Sequence, residues 1–348
     1  MLYYLVLKYS TQLMPLTMRD KMFGRTVSGF GSKAKRTTSP YVSFPDISAL
    51  SIDTDFATLQ IDGSNYSNTS GMAVGADEIV CGLATVLSLG TNVNLLSYDY
   101  DTSTTLATGT GSPASMGYAQ DGSGNVQSTI RAACFSYNGD YLYVGGQADS
   151  NRVVRIALGT PYDLSSASGA TSAQLGTAMN GLQGIGIIGD GTKFYAMRST
   201  SGAVGEVIEY AMSTPYDLST LSVTRTVTAA FTGNLSGGFC TDIAVAPDGG
   251  SFIIGSVGGS GAAGYQTILD QWPMTAGNIT PISGSSGRVS ANFSKNLSNT
   301  YDASGDDSDT YSQAFNFNNT ATALILAGVH EDDGPSGTSN QWHVTRWT

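Results

Sequence analysis

Val153-Val-Arg-Ile-Ala-Leu-Gly-Thr-Pro-Tyr-Asp-Leu-Ser-Ser-Ala-Ser168 and Val207-Ile-Glu-Tyr-Ala-Met-Ser-Thr-Pro-Tyr-Asp-Leu-Ser-Thr-Leu-Ser222 align over sixteen positions without a gap. Self-similarity at a fixed spacing constrains a fold more than any local propensity, because each copy must be one structural unit stacked on the next. Each segment follows a second shared block, Phe135-Ser-Tyr-Asn-Gly-Asp-Tyr-Leu-Tyr-Val144 in one copy and Ile187-Ile-Gly-Asp-Gly-Thr-Lys-Phe-Tyr-Ala196 in the other. A third copy reads Val245-Ala-Pro-Asp-Gly-Gly-Ser-Phe-Ile-Ile254, followed by Leu269-Asp-Gln-Trp-Pro-Met274. The Asn-Gly and Asp-Gly pairs stand between apolar stretches, a strong hairpin signal because Gly accepts the positive φ of tight turns.

Weaker copies flank these three, around Met72–Cys81 with Leu95–Tyr100, and around Phe315–Gly328 with Val344–Trp347. Each unit reads as strand, hairpin, strand, variable loop, third strand, Thr-Pro-Tyr-Asp-like turn and fourth strand. Four antiparallel strands per repeat form a propeller blade. The sequence stops at Trp347-Thr348, which aligns with Tyr210-Ala211 in mid-repeat. Pro45-Asp-Ile-Ser-Ala-Leu-Ser51 and Phe56–Asp62 resemble the missing turn and outer strand. The expectation is an all-β, five-bladed β-propeller with four antiparallel strands per blade. An N-terminal strand near residues 56–62 closes the last blade and protects strand edges that would otherwise invite aggregation. The expected blades span about 71–115, 130–178, 182–235, 239–295 and 312–348, with 45–62 as the closing segment and 1–44 as an extended arm.

Charge supports that division. The 348 residues carry a net charge of −11, but residues 1–44 hold seven basic residues against Asp20, and the remainder is strongly acidic. Such asymmetry marks an arm with its own partner, while the acidic body argues against nucleic-acid binding. Only 12 per cent of residues are Asp, Glu, Lys or Arg, which excludes a charged coiled coil and high-charge disorder. The apolar start, Met1–Leu7, is too short to span a bilayer and lacks the pattern of a signal peptide, so neither membrane insertion nor export is expected.

Chemistry-bearing patterns are sparse. Cys81, Cys134 and Cys240 are far apart, with no CxxC, and read as small buried hydrophobes. His330 and His343 both fall in the last repeat, without a nucleophile elbow. Asp302-Ala-Ser-Gly-Asp-Asp-Ser-Asp309 has the carboxylate density of a Ca²⁺ loop but not the regular spacing of one. Glycosidases place paired carboxylates around a sugar, yet Asp190 and Asp248 sit where Asp-Gly turns already require them. Tyr98, Ile156, Tyr210, Trp272 and Trp347 share one third-strand position, read as inter-blade packing rather than a sugar platform. Seven Asn-x-Ser/Thr sites are expected by chance in so Asn-, Ser- and Thr-rich a chain. No catalytic, cofactor-binding or metal-ligating residue is assigned, no cofactor is expected, and the chain is read as a non-enzyme.

The repeat block, in Asn138–Val144 with Val153–Ser168 and Asp190–Ala196 with Val207–Ser222, resembles the propeller repeat of virion proteins of tailed bacteriophages, especially marine ones, and of some related bacterial surface proteins. The likeness is good over about 130–222, fair to 280, and does not cover 1–44. It implies a structural or attachment role in the phage particle: a tail or fibre appendage, or a decoration protein of the capsid. On this reading residues 1–44 bind other virion proteins, the loops near 102–130, 255–265, 296–312 and 329–340 contact a host-surface glycan or receptor, and the protein is oligomeric in a virion assembled in the host cytoplasm. The alternative is a carbohydrate-binding, lectin-like propeller or, further off, a five-bladed glycosidase.

Overall fold

The structure, a computed structural model, describes residues 40–53, 59–61, 66–75, 78–86, 94–99, 114–115 and, between 130 and 348, all but 147–151, 164–165, 177–180, 202–203, 231–238, 259–265, 280–286, 294–310 and 333–338. Ser39–Thr348 forms one compact unit separate from Met1–Thr38. Residues 40–44, grouped with the arm on charge, thus pack with the body.

That body is an all-β propeller-like arrangement. β1 (Leu59–Ile61) pairs outside the last strand, and the others follow in order. β2 (Tyr66–Val74), β3 (Glu78–Val86), β4 (Asn94–Asp99) and β5 (Ala114–Ser115) make one sheet, and β6 (Ile130–Phe135), β7 (Tyr141–Gly146), β8 (Arg152–Leu158) and β9 (Ala167–Gln174) the next. β10 (Leu182–Ile187), β11 (Lys193–Ser201), β12 (Val204–Met212) and β13 (Leu221–Ala230) make a third. A fourth holds β14 (Phe239–Val245), β15 (Ser251–Gly258) and β16 (Gln266–Thr275), with β17 (Asn278–Ile279) and β18 (Val289–Asn292) sharing its outer edge. β19 (Tyr311–Phe317), β20 (Leu324–Asp332) and β21 (Ser339–Trp347) complete the set, with β1 outermost. Four sheets therefore have four strands and one has five. The first strands β2, β6, β10, β14 and β19 each touch the next, and β19 touches β2.

The two repeated blocks co-occur because they dock on one another. Gly139, Gly191 and Gly249 hold the hairpin position at φ of 76°, 68° and 70°, a region L-residues avoid. Tyr162 and Tyr216 of the Thr-Pro-Tyr-Asp turns lie across the first two, so that a Cβ at Gly139 or Gly191 would stand 2.6 Å from the ring. The Tyr162 and Tyr216 N–H groups donate to the Gly139 and Gly191 carbonyls at 2.9 Å, and their hydroxyls donate to the carbonyls of Tyr137 and Gly189. In the third copy Gly277 takes the Tyr position and donates to the Gly249 carbonyl at 3.0 Å.

A second repeated contact ties neighbouring sheets. The residue before the buried third-strand side chain reaches the next repeat's turn. Arg155 donates to the Tyr216 carbonyl at 2.6 Å, and Glu209 accepts from the Ile279 N–H at 3.0 Å. Gln271 makes the same contact with the N-terminal segment, accepting from the Ile47 N–H at 3.2 Å and donating to the Pro45 carbonyl at 3.0 Å. Asp46 caps the short 3₁₀ turn Ile47–Ala49 through the Ser48 N–H, as Asp217 caps Leu218–Thr220 through Ser219, and Ile47 and Leu218 are both buried. Residues 45–50 are therefore the turn that the repeat beginning at β19 lacks. Ile52 then bridges Trp347, Asp53 pairs with the Arg346 guanidinium, and Leu59, Gln60 and Ile61 face Val344, His343 and Trp342.

Ile156, Tyr210, Trp272 and Trp347 are all buried, so this aromatic row packs between sheets and presents no platform. Tyr98 lies outside the described side chains.

Candidate functional site

The first strands surround an axis, and their sequence decides its lining. At their C-terminal ends, where the hairpins begin, Val74, Phe135, Ile187, Val245 and Phe317 each contribute one side chain to a cavity of about 50 Å³. That is room for only a few waters. A strap formed by residues 40–44 runs over this hairpin mouth. Phe44 lines the cavity and stacks on Phe317 with ring centroids 4.4 Å apart, while Tyr41 meets Tyr137 edge-on at 5.1 Å and covers Gly189. Asp248 donates its N–H to the Val42 carbonyl at 3.1 Å, and its carboxylate accepts from the Ser43 hydroxyl.

Every first strand carries a β-bulge near its start. The register slips between Thr69 and Gly71, Ile130 and Ala132, Leu182 and Gly184, Cys240 and Asp242, and Ser312 and Ala314. The inserted residues are Ser70, Arg131, Gln183, Thr241 and Gln313, all polar. Bulges re-aim side chains and recur beside functional sites. Arg131 reaches across to the next sheet, its Nη1 standing 3.4 Å from Gln183 Oε1, while its Nε–H is buried without an acceptor. Burial pulls the guanidinium below its ordinary pKa.

Below this ring lies Asp242, fully buried. Its carboxyl accepts from the Ile243 N–H at 2.8 Å and from the Phe315 N–H, in the next sheet, at 3.3 Å. Gly184 leaves the space for it: a Cβ there would stand 2.7 Å from Asp242 Oδ1 and 2.5 Å from the Ile243 nitrogen. Burial pushes the Asp242 carboxyl well above the usual carboxylate range, against the opposing pull of the two N–H groups. Cys134 and Cys240 are free and buried, and burial pushes the Cys240 thiol up to about 12, so both behave as the hydrophobes expected.

The structure does not bring the other sequence-level candidates together. Asp190 accepts from the Thr192 N–H and hydroxyl, and Asp248 from the Gly250 N–H at 2.8 Å, both in hairpin turns. His330 lies on β20 opposite Gln341, and His343 on β21 opposite Gly328. The acidic loop 302–309 lies outside the described residues, and so do most of the long loops expected to carry recognition. Among the described residues no three His, Cys, Asp or Glu converge as metal ligands, and no helix is long and apolar enough to cross a membrane. Sequence reasoning passed over Arg131, Gln183 and Asp242. The signal was available as a polar residue seven or eight positions before each hairpin turn, visible only once the copies are aligned on that turn.

No family model matches the chain, and no curated protein matches it. Solved structures do resemble it. A putative 6-phosphogluconolactonase from Bacteroides uniformis is 14% identical, with 86% of this chain and 85% of that chain covered and a TM-score of 0.34. The WD40 domain of Toxoplasma gondii coronin is 10% identical, with 88% of each chain covered and a TM-score of 0.37. The catalytic domain of a Coprinopsis cinerea GH62 α-L-arabinofuranosidase is 9% identical, with 81% and 93% covered and a TM-score of 0.45. At these values none of the three bears on what this chain does, and the propeller assignment rests on its own strand order.

Proposed function

We propose that the five sheets are the five blades of a closed propeller that acts as a two-faced, non-enzymatic binding platform. One face attaches the basic arm and the other presents recognition loops. The supporting observation is the strap. Residues 40–44 are fixed against the hairpin mouth, so the described start of the body lies on that face. The connections between second and third strands, and from each fourth strand to the next first strand, leave from the opposite ends of the strands. Loops on a rigid scaffold are where recognition usually sits.

Together with the repeat's resemblance to tailed-phage virion proteins, this favours a particle component, either a tail or fibre appendage or a capsid decoration protein. Its arm docks on an acidic or apolar virion surface, and the far face meets the host. Deleting residues 1–38, which leaves the strap intact, is expected to abolish incorporation into particles while the purified body keeps its β-sheet circular dichroism and melting temperature. Normal incorporation of the truncated chain would overturn the anchoring role. The lectin-like alternative gains weight from the partly exposed Arg131 and Gln183 at the far mouth. A two-carboxylate glycosidase mechanism needs a matched acid pair, and among the described axial residues Asp242 stands without a second carboxyl.

A further inference from the structure

We infer that the far mouth of the axis is an anion-binding site in which the Arg131 guanidinium, with Gln183 beside it, takes the carboxylate or phosphate of an acidic saccharide. This deepens the recognition role proposed above for that face and rests on it.

The first ground is an uncompensated charge. Elsewhere in the body Lys193 pairs with Glu209 at 2.8 Å, Arg198 with Glu206 at 2.8 Å and Arg346 with Asp53, and Arg155 donates to the Tyr216 carbonyl. Arg131 has one long bond to a neutral amide and a buried Nε–H with no acceptor. A partly desolvated guanidinium without an anion is destabilising, and it is relieved when a carboxylate or phosphate accepts from it.

The second ground is placement. Arg131, Gln183 and Thr241 are the bulged residues of three consecutive first strands, and Ser70 and Gln313 hold the same register position in the other two. A bulge at the same register position in successive sheets brings Arg131 and Gln183 to one level of neighbouring first strands. Arg131 and Gln183 remain partly exposed, so the level is open to a ligand, whereas the hairpin mouth lies under Tyr41 and Phe44. Gln183 supplies an amide donor beside the cation, while Thr241 at the same register position is buried. The body is otherwise acidic, so the site would admit an anion through specific hydrogen bonds rather than general attraction. An acidic saccharide meets those terms, since its hydroxyls can use the neutral polar positions while its anionic group takes Arg131.

Calorimetric titration of the full chain with trigalacturonate and with glucose 6-phosphate tests this, with galactose as the neutral control. Saturable binding of at least one anion and none of galactose is expected, and the anion bound identifies carboxylate or phosphate as the group recognised. Arg131→Gln should weaken that binding at least tenfold, the loss of one charge-assisted interaction, and Gln183→Ala by a smaller factor. Absence of binding by both anions at millimolar concentration, or unchanged affinity in Arg131→Gln, overturns the site. Should Arg131→Gln not fold, modification of Arg131 by phenylglyoxal in the native chain, followed by mass spectrometry, must be slowed by the bound anion, and equal rates overturn the site. Particle incorporation of the 1–38 deletion reads the anchoring role separately, so either can fail without the other.

Discussion

The two ends of the five first strands are finished differently. At the hairpin mouth the strands end in Val74, Phe135, Ile187, Val245 and Phe317, and the strap adds Tyr41 and Phe44 over them. At the far mouth the corresponding level carries Arg131, Gln183 and Thr241, with an unsatisfied guanidinium among them. One end is finished as a core is finished, with apolar side chains and backbone hydrogen bonds. The other keeps a charge that folding alone gives no reason to keep. The contrast assigns stability to one end and recognition to the other, and mutations at each end should therefore differ in sign as well as size.

The largest effect is expected from the strap side. Ile47 is buried with Ala244, Leu269, Phe293, Phe315 and Trp347, and it seats the turn that completes the last repeat. Ile47→Ala should destabilise the body by about 3 kcal/mol in urea denaturation, the usual loss for truncating a buried aliphatic side chain. A midpoint that does not move would mean that the closing turn lies on the propeller without holding it.

An intermediate effect is expected at Asp242, between the two mouths. Its folded pKa is raised above the unfolded value by burial, so the folded chain keeps a proton that the unfolded chain has released. Unfolded chains then bind fewer protons, and stability falls with rising pH. The contribution is fully present below the ordinary Asp range and declines as pH rises from there through the raised folded value, by about 1.4 kcal/mol for each pKa unit of difference. Asp46 and Asp217, whose carboxylates are held low by the Ser48 and Ser219 hydrogen bonds, act in the opposite direction at acid pH. The difference between wild type and Asp242→Asn isolates the axial group. Melting temperatures measured across that range should fall more steeply in the wild type, and parallel profiles would show that the carboxyl is not desolvated as its surroundings require.

How much of this could be read beforehand depends on whether a feature repeats. The hairpin glycines and the Thr-Pro-Tyr-Asp turns were legible because one packs on the other in successive copies, so both blocks are held to the same spacing. The closing turn at 45–50 was legible for the same reason, through its Asp-x-Ser cap and the apolar residue between. The strap was not. It occurs once, and charge grouped it with the arm, although the last basic residue of that segment is Arg36 and Tyr41, Val42 and Phe44 already read as chain that packs. Asp242 was hidden by the bulge before it, which breaks the strand's alternation, so that its place between the neighbouring first strands does not follow from a period of two. Ala321 shows the limit of motif reading: it holds the hairpin position at φ 54° without glycine, so a search for Asn-Gly or Asp-Gly passes over that copy.

The smallest and most discriminating effect is expected at Arg131. Were it a structural residue like Arg346, which is paired with Asp53, replacing it would break a partly buried ion pair and lower stability. Arg131 has no such partner, and Arg131→Gln removes an unpaired charge while leaving an amide able to meet Gln183. The unliganded variant should therefore be as stable as the wild type or up to about 1 kcal/mol more stable, because residues held for binding are often held against stability. With the anion bound, the order should reverse, since only the wild type gains the binding free energy. Denaturation of both proteins, with and without ligand, reads both comparisons. A clear loss of stability in the unliganded variant would return Arg131 to the framework and remove the difference between the two mouths on which the recognition role depends.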